Sequence, residues 1–328
     1  MNVRRRLILS LLALLVPASL LFAAAVGSVV IEPEALWRVL TGTRAGVPYT
    51  LVFELRLPRA LTAFAVGGLL ALAGALLQVL LRNPLADPYV IGVSGGAAVA
   101  ALLALLAGAA AATTSVAAFG GALGSMLLVF ALSRSGPGGT NRLLLTGVVV
   151  AAGWGACISL LLVLAPAAQV QGMLFWLLGD LSNARYSGIG MTVLVFGLAA
   201  ALAIARALNV LIRGESTAAA LGENPARLRA LVYVLASLLT ATAVTLAGSI
   251  GFVGLIVPHM LRLLGLADHR YLLPTAAAAG GSLLVVADTL ARSIAAPMQL
   301  PVGILTALLG VPIFLFLLAR TARQPGAA

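Results

Sequence analysis

The chain has 328 residues, of which 62% are hydrophobic and only 9% are charged. Soluble domains carry about 25% charged residues, so this composition excludes a soluble globular protein and indicates one that lies in lipid. All 20 basic residues are arginine, and a chain without lysine lacks the GxxxxGK(S/T) loop that binds nucleotide phosphates, so any ATP hydrolysis must come from another chain.

The first apolar run begins after three arginines, Arg4 to Arg6, and extends from Leu7 to about Ile31. A secretory signal has an apolar core of about 7–15 residues. This run is longer, and it can span the roughly 30 Å of hydrocarbon in a bilayer. We therefore predict an uncleaved membrane helix with a cytoplasmic N-terminus, and cleavage of a signal peptide is the alternative.

Similar apolar runs recur along the chain between short polar segments. Each can form a helix that crosses the membrane, so we predict an all-α integral membrane protein of about ten transmembrane helices in one domain, residues 1–328. A short helix near residues 170–180 would carry Phe175 and Trp176 at the water boundary. The ten spans are predicted at 7–30, 58–81, 91–110, 114–133, 142–165, 188–208, 228–249, 252–266, 274–296 and 301–320.

Arginine is shared unequally between the two sides of these helices, and the richer side is expected to face the cytoplasm. Both termini are therefore predicted to be cytoplasmic. The same asymmetry accounts for the net charge of +11, since no basic stripe with interleaved aromatic residues points to nucleic acid. The inner set is Arg4, Arg5, Arg6, Arg82, Arg134, Arg142, Arg206, Arg213, Arg227, Arg229, Arg262, Arg270, Arg320 and Arg323, and the outer set is Arg38, Arg44, Arg56, Arg59, Arg185 and Arg292.

Two connecting segments are longer than a turn requires. Residues 31–57 form an outer segment, and residues 209–227 form a polar inner segment. A weak internal echo also links two helices: the triplet Leu-Ala-Gly occurs at residues 72–74 and again at 246–248. By the predicted topology these two helices run in opposite directions, as in the inverted repeats of many transporters.

The sequence Arg56-Leu57-Pro58-Arg59 lies at the start of the predicted second helix. Proline favours the first helical turn, so we predict that this helix begins at Pro58. Both arginines would then lie at the positive end of the helix dipole, which favours anions rather than cations. We expect Glu54 to compensate one arginine and a carboxylate of a partner protein the other, with anchoring at the membrane interface as the alternative.

Asp288 and Arg292 are the ionisable residues of the ninth predicted span. They are four residues apart with the acid first, which favours an ion pair on one helix face. An acid within a span is also a candidate proton carrier, which would make the protein a secondary transporter. A third interpretation is that Asp288 orients an outward-facing Arg292.

Glycines between residues 248 and 254 predict a break before the eighth helix, which Pro258 would start or kink. His259 and Arg262 are three residues apart and share a helix face. His269 is the only other histidine in the chain, and no cysteine is near, so we expect no metal site. His259 is expected to be a hydrogen-bonded residue of the inner surface.

Two further residue sets have structural interpretations. Residues 82–88 are predicted to form a rigid inner corner, with Asn83 and Asp87 as turn formers, and contact with a cytoplasmic partner is the alternative. The single cysteine, Cys157, lies in an apolar run and is expected to be a small core residue. No catalytic set can be assembled across these spans, so we expect neither an enzyme nor a cofactor.

Short motifs occur along the chain in a fixed order, and the set resembles the FecCD-type permeases, the membrane subunits of type II ABC importers for iron–siderophores, haem and cobalamin. The resemblance extends from about residue 50 to 320. Each motif alone is weak, and the ordered set is specific. The motifs are Arg56–Arg59, Gly74–Gln78, Asn83–Pro88, Gly251–Leu255, Pro258-His259, Asp268–Arg270, Ala287-Asp288, Leu300–Gly303 and Gly310–Pro312.

The resemblance implies a type II ABC importer permease fold in the bacterial inner membrane. It implies a homodimer, with two ATP-binding cassette subunits on the inner side and a periplasmic substrate-binding protein on the outer side. Arg56, Arg59 and Arg292 match positions that receive glutamates of the binding protein in such permeases.

The resemblance also implies two inner sites. Segment 209–227 is similar to the coupling helices that seat in a groove of the ATPase. The chain from residue 139 to 142 is similar to a cytoplasmic gate, with Thr140 and Asn141 as candidates, although asparagine differs from the usual small hydroxyl residue. The candidate coupling residues are Gly214, Glu215, Ala219, Leu221 and Gly222.

The function expected from this resemblance is translocation of an iron chelate (siderophore or haem) or cobalamin, with ATP hydrolysis in a partner subunit. The alternative is a proton- or sodium-coupled secondary transporter that uses Asp288. The sequence carries no ligand set for iron or cobalt, so it does not identify the chelate.

Overall fold

The computed structural model describes residues 3–134, 139–182 and 188–321, and the regular structure of these residues is helical. A π-helical turn at Thr50–Arg56 joins α3 to α4, and a 3-10 turn at Pro88–Ile91 precedes α5. The helices are α1 (Val3–Ala25), α2 (Pro33–Leu40), α3 (Val47–Tyr49), α4 (Leu57–Leu80), α5 (Val93–Leu106), α6 (Ala111–Arg134), α7 (Gly139–Leu164), α8 (Ala167–Leu177), α9 (Ile189–Ala203), α10 (Ala205–Leu211), α11 (Glu215–Ala220), α12 (Pro225–Ala247), α13 (Val253–Leu263), α14 (His269–Ile294) and α15 (Val302–Thr321).

The described residues contain six helical stretches that are long and apolar enough to cross a membrane: α1, the continuous stretch Val47–Leu80, α6, α7, α12 and α14. Helices α9 and α10 pass the same test together, with a bend of 60° between them. Three shorter apolar helices, α5, α13 and α15, lie at the remaining predicted spans. The all-α prediction is confirmed, and α8 is the predicted short helix with Phe175 and Trp176.

Helix α4 forms the centre of the bundle, packed against α9, α12, α13 and α14. Every residue from Ala65 to Leu80 is buried. Its backbone touches that of α13, since a Cβ added at Gly74 would lie 1.8 Å from the carbonyl oxygen of Gly254. Small residues allow such close approach of helices in lipid, where packing replaces the hydrophobic driving force.

Helix α7 has the opposite environment, because most of its side chains are exposed. A Cβ added at Gly153 or Gly155 would meet no atom within 4 Å. Cys157 is exposed on this helix, so the expectation of a core cysteine was wrong. The apolar run around Cys157 predicts membrane burial, but burial inside the protein requires a neighbouring helix on that face.

Three predicted boundaries differ from the structure. The first helix ends at Ala25 rather than near residue 30, and the outer segment that follows contains α2. The second helix, α4, begins at Leu57, one residue before the predicted start, but it is preceded by further helical structure that is continuous from Val47. The inner segment 209–227 contains α11 and includes the end of α10 and the start of α12.

The two Leu-Ala-Gly triplets of the internal echo lie in different positions in their helices. Gly74 lies inside α4, whereas Gly248 ends α12 with a positive φ of 68°. The inverted repeat therefore stays a prediction. Following the predicted topology, we call the bundle end that holds Arg59 and Arg292 the outer end, and the end that holds Arg82 and Arg213 the inner end.

Candidate functional site

Arg56 is buried at the outer end, with only 4% of its surface exposed. Its Nη1 donates hydrogen bonds to the carbonyl oxygens of Ala24 (2.8 Å) and Ala25 (2.9 Å), and its Nη2 donates to that of Val29. These acceptors lie at and just beyond the end of α1. The last carbonyls of a helix have no donor within the helix, so Arg56 supplies the missing donors.

Arg292 binds the same helix end from α14. Its Nη2 donates to the carbonyl oxygen of Ala23 at 2.6 Å, and the residue is 7% exposed. A cation near a helix C-terminus is also favoured by the helix dipole. Arg56 and Arg292 therefore cap α1 together, and both have neutral partners.

Arg59 has an acidic partner. Its Nε lies 2.9 Å from Asp288 Oδ2 and its Nη2 lies 2.8 Å from Asp288 Oδ1, which makes a two-bond guanidinium–carboxylate pair. Its Nη1 also donates to Gln299 Oε1 at 2.8 Å. The predicted pairing of Asp288 with Arg292 was wrong, because the carboxylate bonds to an arginine from another helix.

Arg56, Arg59, Arg292 and Asp288 together form what we call the outer arginine cluster. Three cations share one carboxylate, so the cluster carries an excess of positive charge. We predicted that Arg56 and Arg59 lie at a helix N-terminus, where the helix dipole disfavours cations. That prediction was wrong, because both arginines lie inside continuous helical structure. The excess remains because the partners of Arg56 and Arg292 are backbone carbonyls.

The inner end presents α11, the centre of the predicted coupling segment. Gly214 precedes it with a φ of 120°, a backbone region that favours glycine. Glu215 forms ion pairs with Arg229 (2.8 Å) and Arg82 (3.9 Å), so α11 is tied to α12 and to the corner after α4. Leu221 follows α11 and is 65% exposed.

The other candidates of the inner end differ in how they are placed. Ala219 and Gly222 are exposed beside Leu221, so a small apolar surface faces away from the bundle. Asn141 is exposed in the first turn of α7. Thr140 belongs to the same turn, and its side chain lies outside the described residues.

Sequence reasoning gave no role to Gln78, which the structure places in a buried polar network near the inner end. Gln78 is 1% exposed, and its amide bonds to backbone carbonyls of α13 and of the inner corner. Arg262 Nη1 donates to Gln78 Oε1. His259 is buried rather than on the inner surface, and its Nδ1 has no hydrogen-bond partner among the described residues.

The signal that could have found Gln78 was an amide in a run otherwise suited to lipid. A buried polar side chain needs hydrogen-bond partners, so an amide there predicts carbonyls left free by a neighbouring helix.

The part of the chain that the structure describes holds no group of three His, Cys, Asp or Glu side chains suited to a metal ion.

The family profile described as the FecCD transport family matches residues 12–320. The chain belongs to the FecCD transport family. Members of this family are membrane permeases of ABC importers, and the apolar helical stretches of the described residues fit a multi-pass membrane permease.

Individual relatives agree with the family match. The chain is 44% identical over 280 residues to a cobalamin import system permease protein, BtuC, from Halobacterium salinarum, covering 83% of this chain and 75% of that one. It is 38% identical over 331 residues to the hemin transport system permease protein HmuU of Yersinia pestis, covering 98% of each. A solved structure described as an inward-facing ABC transporter of the metal-chelate type aligns with a TM-score of 0.84 at 32% identity, covering 96% of this FecCD chain and 99% of the other.

Proposed function

We propose that this FecCD chain is the permease subunit of an ATP-driven importer for an iron chelate (siderophore or haem) or cobalamin. The observation that carries the proposal is the family match along residues 12–320. Relatives that match over most of the chain carry the names of cobalamin and hemin permeases. We place the chain in a bacterial inner membrane as one domain, with both termini in the cytoplasm.

The proposed complex contains two copies of the chain, two ATP-binding cassette subunits and a periplasmic binding protein. The exposed face of α7 supports pairing of two copies, because Gly153 and Gly155 leave open space on a helix with few neighbours. Small residues at such a face allow a second helix to approach closely in lipid.

The outer arginine cluster is the proposed docking site for carboxylates of the binding protein. Arg56 and Arg292 have only neutral partners, so an incoming carboxylate would gain charge compensation from both. At Arg59 the same carboxylate would have to compete with Asp288. Arg56 and Arg292, which cap α1, are both buried, so docking of a carboxylate requires a local opening at the end of α1.

The coupling segment is the proposed contact with the ATPase. The exposed side chain of Leu221, with Ala219 and Gly222 beside it, offers a small apolar surface to a groove in the partner. Gly214 and Glu215 orient this surface rather than contact the partner. Glu215 does so through its ion pairs, and Gly214 does so through its left-handed backbone.

The path between the two copies would switch its open side when the ATPases bind and hydrolyse ATP, with Thr140 and Asn141 at the inner gate. A groove of about 580 Å³ between α8, the end of α12 and the α5–α6 connection is lined mostly by small and neutral residues. Such a lining suits a surface that passes a bulky chelate without binding it tightly. Tight selection would then rest with the binding protein.

The alternative of a secondary transporter loses support from the contacts of Asp288. Two N–H groups of Arg59 bind both oxygens of this carboxylate, and its side chain is only 3% exposed. Both oxygens of this carboxylate are thus engaged in a structural ion pair, which accounts for an acid in this helix without proton transfer.

The test is reconstitution of the chain with its ATPase and binding protein in liposomes, with haem, a ferric siderophore and cobalamin supplied in turn. We expect ATP-dependent uptake of one of these classes. The matched control contains an ATPase that binds but does not hydrolyse ATP, and it should show no sustained uptake. Uptake by the permease without any ATPase would contradict the proposal.

A further inference from the structure

Helix α13 lacks an internal hydrogen bond because of Pro258. Proline has no N–H, so the carbonyl of Gly254, four residues earlier, receives no donor within the helix. Gln78 of α4 provides one from outside: its Nε2 lies 3.1 Å from the carbonyl oxygen of Leu255 and 3.5 Å from that of Gly254.

The close contact of the two backbones brings the amide of Gln78 within reach of these carbonyls. Gly74 and Gln78 are four residues apart and share a face of α4. Because Gly74 meets Gly254 with no side chain between them, the short side chain of Gln78 spans the remaining gap. The face of α4 that carries Gly74 and Gln78 therefore contacts the turn of α13 in which Pro258 leaves a carbonyl without a donor.

The oxygen of the Gln78 amide accepts a hydrogen bond from a residue of α13 that follows Pro258. Arg262, four residues after Pro258, donates from Nη1 to Gln78 Oε1. Gln78 Nε2 also lies 3.4 Å from the carbonyl oxygen of Ala86 in the inner corner. A single side chain thus bonds to both halves of α13 and to the corner that follows α4.

This network leaves buried donors unused. Arg262 Nε and Nη2 are buried without hydrogen-bond partners, and no carboxylate of the described residues forms an ion pair with Arg262. A buried unsatisfied polar group costs about 1–3 kcal/mol. An arrangement in which Arg262 leaves Gln78 and finds other partners can therefore lie close in free energy.

Backbone strain flanks the same network. Among the described residues, two that are not glycine have a positive φ: Arg82, at 47°, and Phe252, at 70°. Arg82 lies at the start of the inner corner, and Phe252 immediately precedes α13. Residues held in such conformations cluster at segments that switch.

The inner corner also connects the network to the coupling segment. Glu215, the first residue of α11, lies 3.9 Å from Arg82 of the corner. The corner in turn accepts a hydrogen bond from Gln78 through Ala86. A movement of α11 has a continuous series of contacts through which it can reach Gln78 and the segment of α13 around Pro258.

We propose that Gln78 and Arg262 form a positioning pair that sets the conformation of α13 around Pro258 and that opens and closes as the coupling segment moves. This inference rests on the proposed function, since it assigns the pair a role in ATP-driven import. Loss of the pair then separates hydrolysis from transport without removing the fold.

The test compares Arg262→Met with the wild type in the full reconstituted complex. The variant should keep its thermal stability, because replacing a buried cation with an apolar side chain of similar length removes the unsatisfied donors. ATP hydrolysis by the partner subunits should continue, while uptake per ATP hydrolysed falls about tenfold, within the 5–150-fold range typical of coupling between sites. Uptake per ATP equal to that of the wild type would overturn the proposal.

Two further variants separate the pair from general effects. Arg270→Met removes an arginine whose side chain is 53% exposed at the same end, and it should leave uptake per ATP unchanged. Gln78→Met combined with Arg262→Met should have no larger effect on this ratio than either change alone, because the two residues act as one unit. Additive effects would overturn the pairing.

A readout on the permease alone distinguishes this inference from the proposed function. Hydrogen exchange of the α13 amides should be about tenfold faster in Arg262→Met than in the wild type, since a tenfold change corresponds to about 1.4 kcal/mol of local stability. Unchanged exchange would overturn the pair. A wild-type complex that takes up nothing with ATP would overturn the proposed function instead, whatever the exchange result.

Discussion

The outer arginine cluster and the inner Gln78–Arg262 pair both place charged groups inside an apolar bundle, but they satisfy those groups to different degrees. At the outer end, Arg59 makes three hydrogen bonds and the carbonyls at the end of α1 all find donors, while one buried nitrogen, Nε of Arg292, has no partner among the described residues. At the inner end, Arg262 makes one hydrogen bond and keeps two buried nitrogens unpaired. The outer set therefore has more of its groups satisfied, and we expect the inner set to rearrange more readily.

This difference matters because a lipid-embedded bundle has no water to compensate a misplaced charge. The more complete set of hydrogen bonds at the outer end ties α1 to Arg56, which precedes α4, and to Arg292 of α14. Unused donors at the inner end reduce the cost of rearrangement. We therefore expect the outer end of the central helix α4 to contribute stability and its inner end to rearrange.

The largest expected effect comes from removing the ion pair between Arg59 and Asp288 at the outer end. Asp288→Ala leaves Arg59, whose side chain is 11% exposed, without its carboxylate, and loss of one partner of such a largely buried pair typically costs about 3–5 kcal/mol. We expect a strongly lowered thermal unfolding temperature in detergent. The double variant Arg59→Gln with Asp288→Asn replaces the ion pair with neutral amides and should recover most of the loss. Equal stability of Asp288→Ala and the wild type would remove the distinction between the two ends.

The next effect concerns the close crossing on which the inner pair depends. Gly74→Ala places a methyl group 1.8 Å from the carbonyl oxygen of Gly254, so the helices must separate. Overpacking costs about 1–3 kcal/mol or more, and we expect a lowered unfolding temperature and aggregation in size-exclusion chromatography. Gly120→Ala in α6 is the control, since a methyl group there meets no atom within 4 Å. Similar behaviour of both variants would contradict the crossing.

A third prediction separates docking from the fold of the outer cluster. Arg56→Gln removes a cation with neutral partners, and we expect the affinity for the binding protein to fall about tenfold, or about 1.4 kcal/mol, in titrations with the folded permease. The effect should shrink at high salt, which screens charge. Arg262→Gln removes the same charge at the inner end and should leave this affinity unchanged. An equal loss in both variants would argue against an outer docking site.

The smallest predicted effect is a pH dependence at the inner corner. Burial raises the pKa of the Asp87 carboxyl to about 6 from an ordinary value of 3.8, although a hydrogen bond from the Tyr89 N–H opposes this change. The folded protein therefore binds this proton more tightly than the unfolded chain does. The stabilisation it provides is complete below pH 3.8 and is lost as the pH rises through about 6.

Asp87→Asn keeps the hydrogen-bond acceptor for Tyr89 and removes the titration. We expect the unfolding temperature of the wild type to fall relative to that of this variant as the pH rises from about 4 to 7. A difference that stays constant over this range would show that the pKa of Asp87 is the same in the folded and unfolded states.

The positions of the helices were predictable from the sequence, because the length of an apolar run reports what can cross a bilayer. The start of α4 was predicted to within one residue, but the helical structure that precedes it from Val47 was not, since Pro58 suggested a new helix. The π-helical turn at Thr50–Arg56 shifts the hydrogen-bond partners just before the proline, so the helix passes through it.

The partners of the polar residues were predictable only within a helix. The spacing rule paired Asp288 with Arg292, but Arg59 is 229 residues away along the chain and lies closer in space. Gln78 was visible only as part of a motif, because its role depends on which carbonyls of another helix are free. Local patterns do not contain the tertiary contacts that decide such pairings. The exposed coupling surface at Leu221 agrees with the segment expected from family resemblance, and its role stays a prediction.

The crossing of Gly74 with Gly254 has a consequence for how this gene can vary. The glycine contact and the amide of Gln78 lie one helical turn apart, so both depend on the number of residues between them. A single inserted codon in this turn would rotate the amide by about 100° away from α13 while leaving hydropathy unchanged. Chain length is therefore as constrained here as residue identity, and deletion scanning would reveal a constraint that substitutions alone miss.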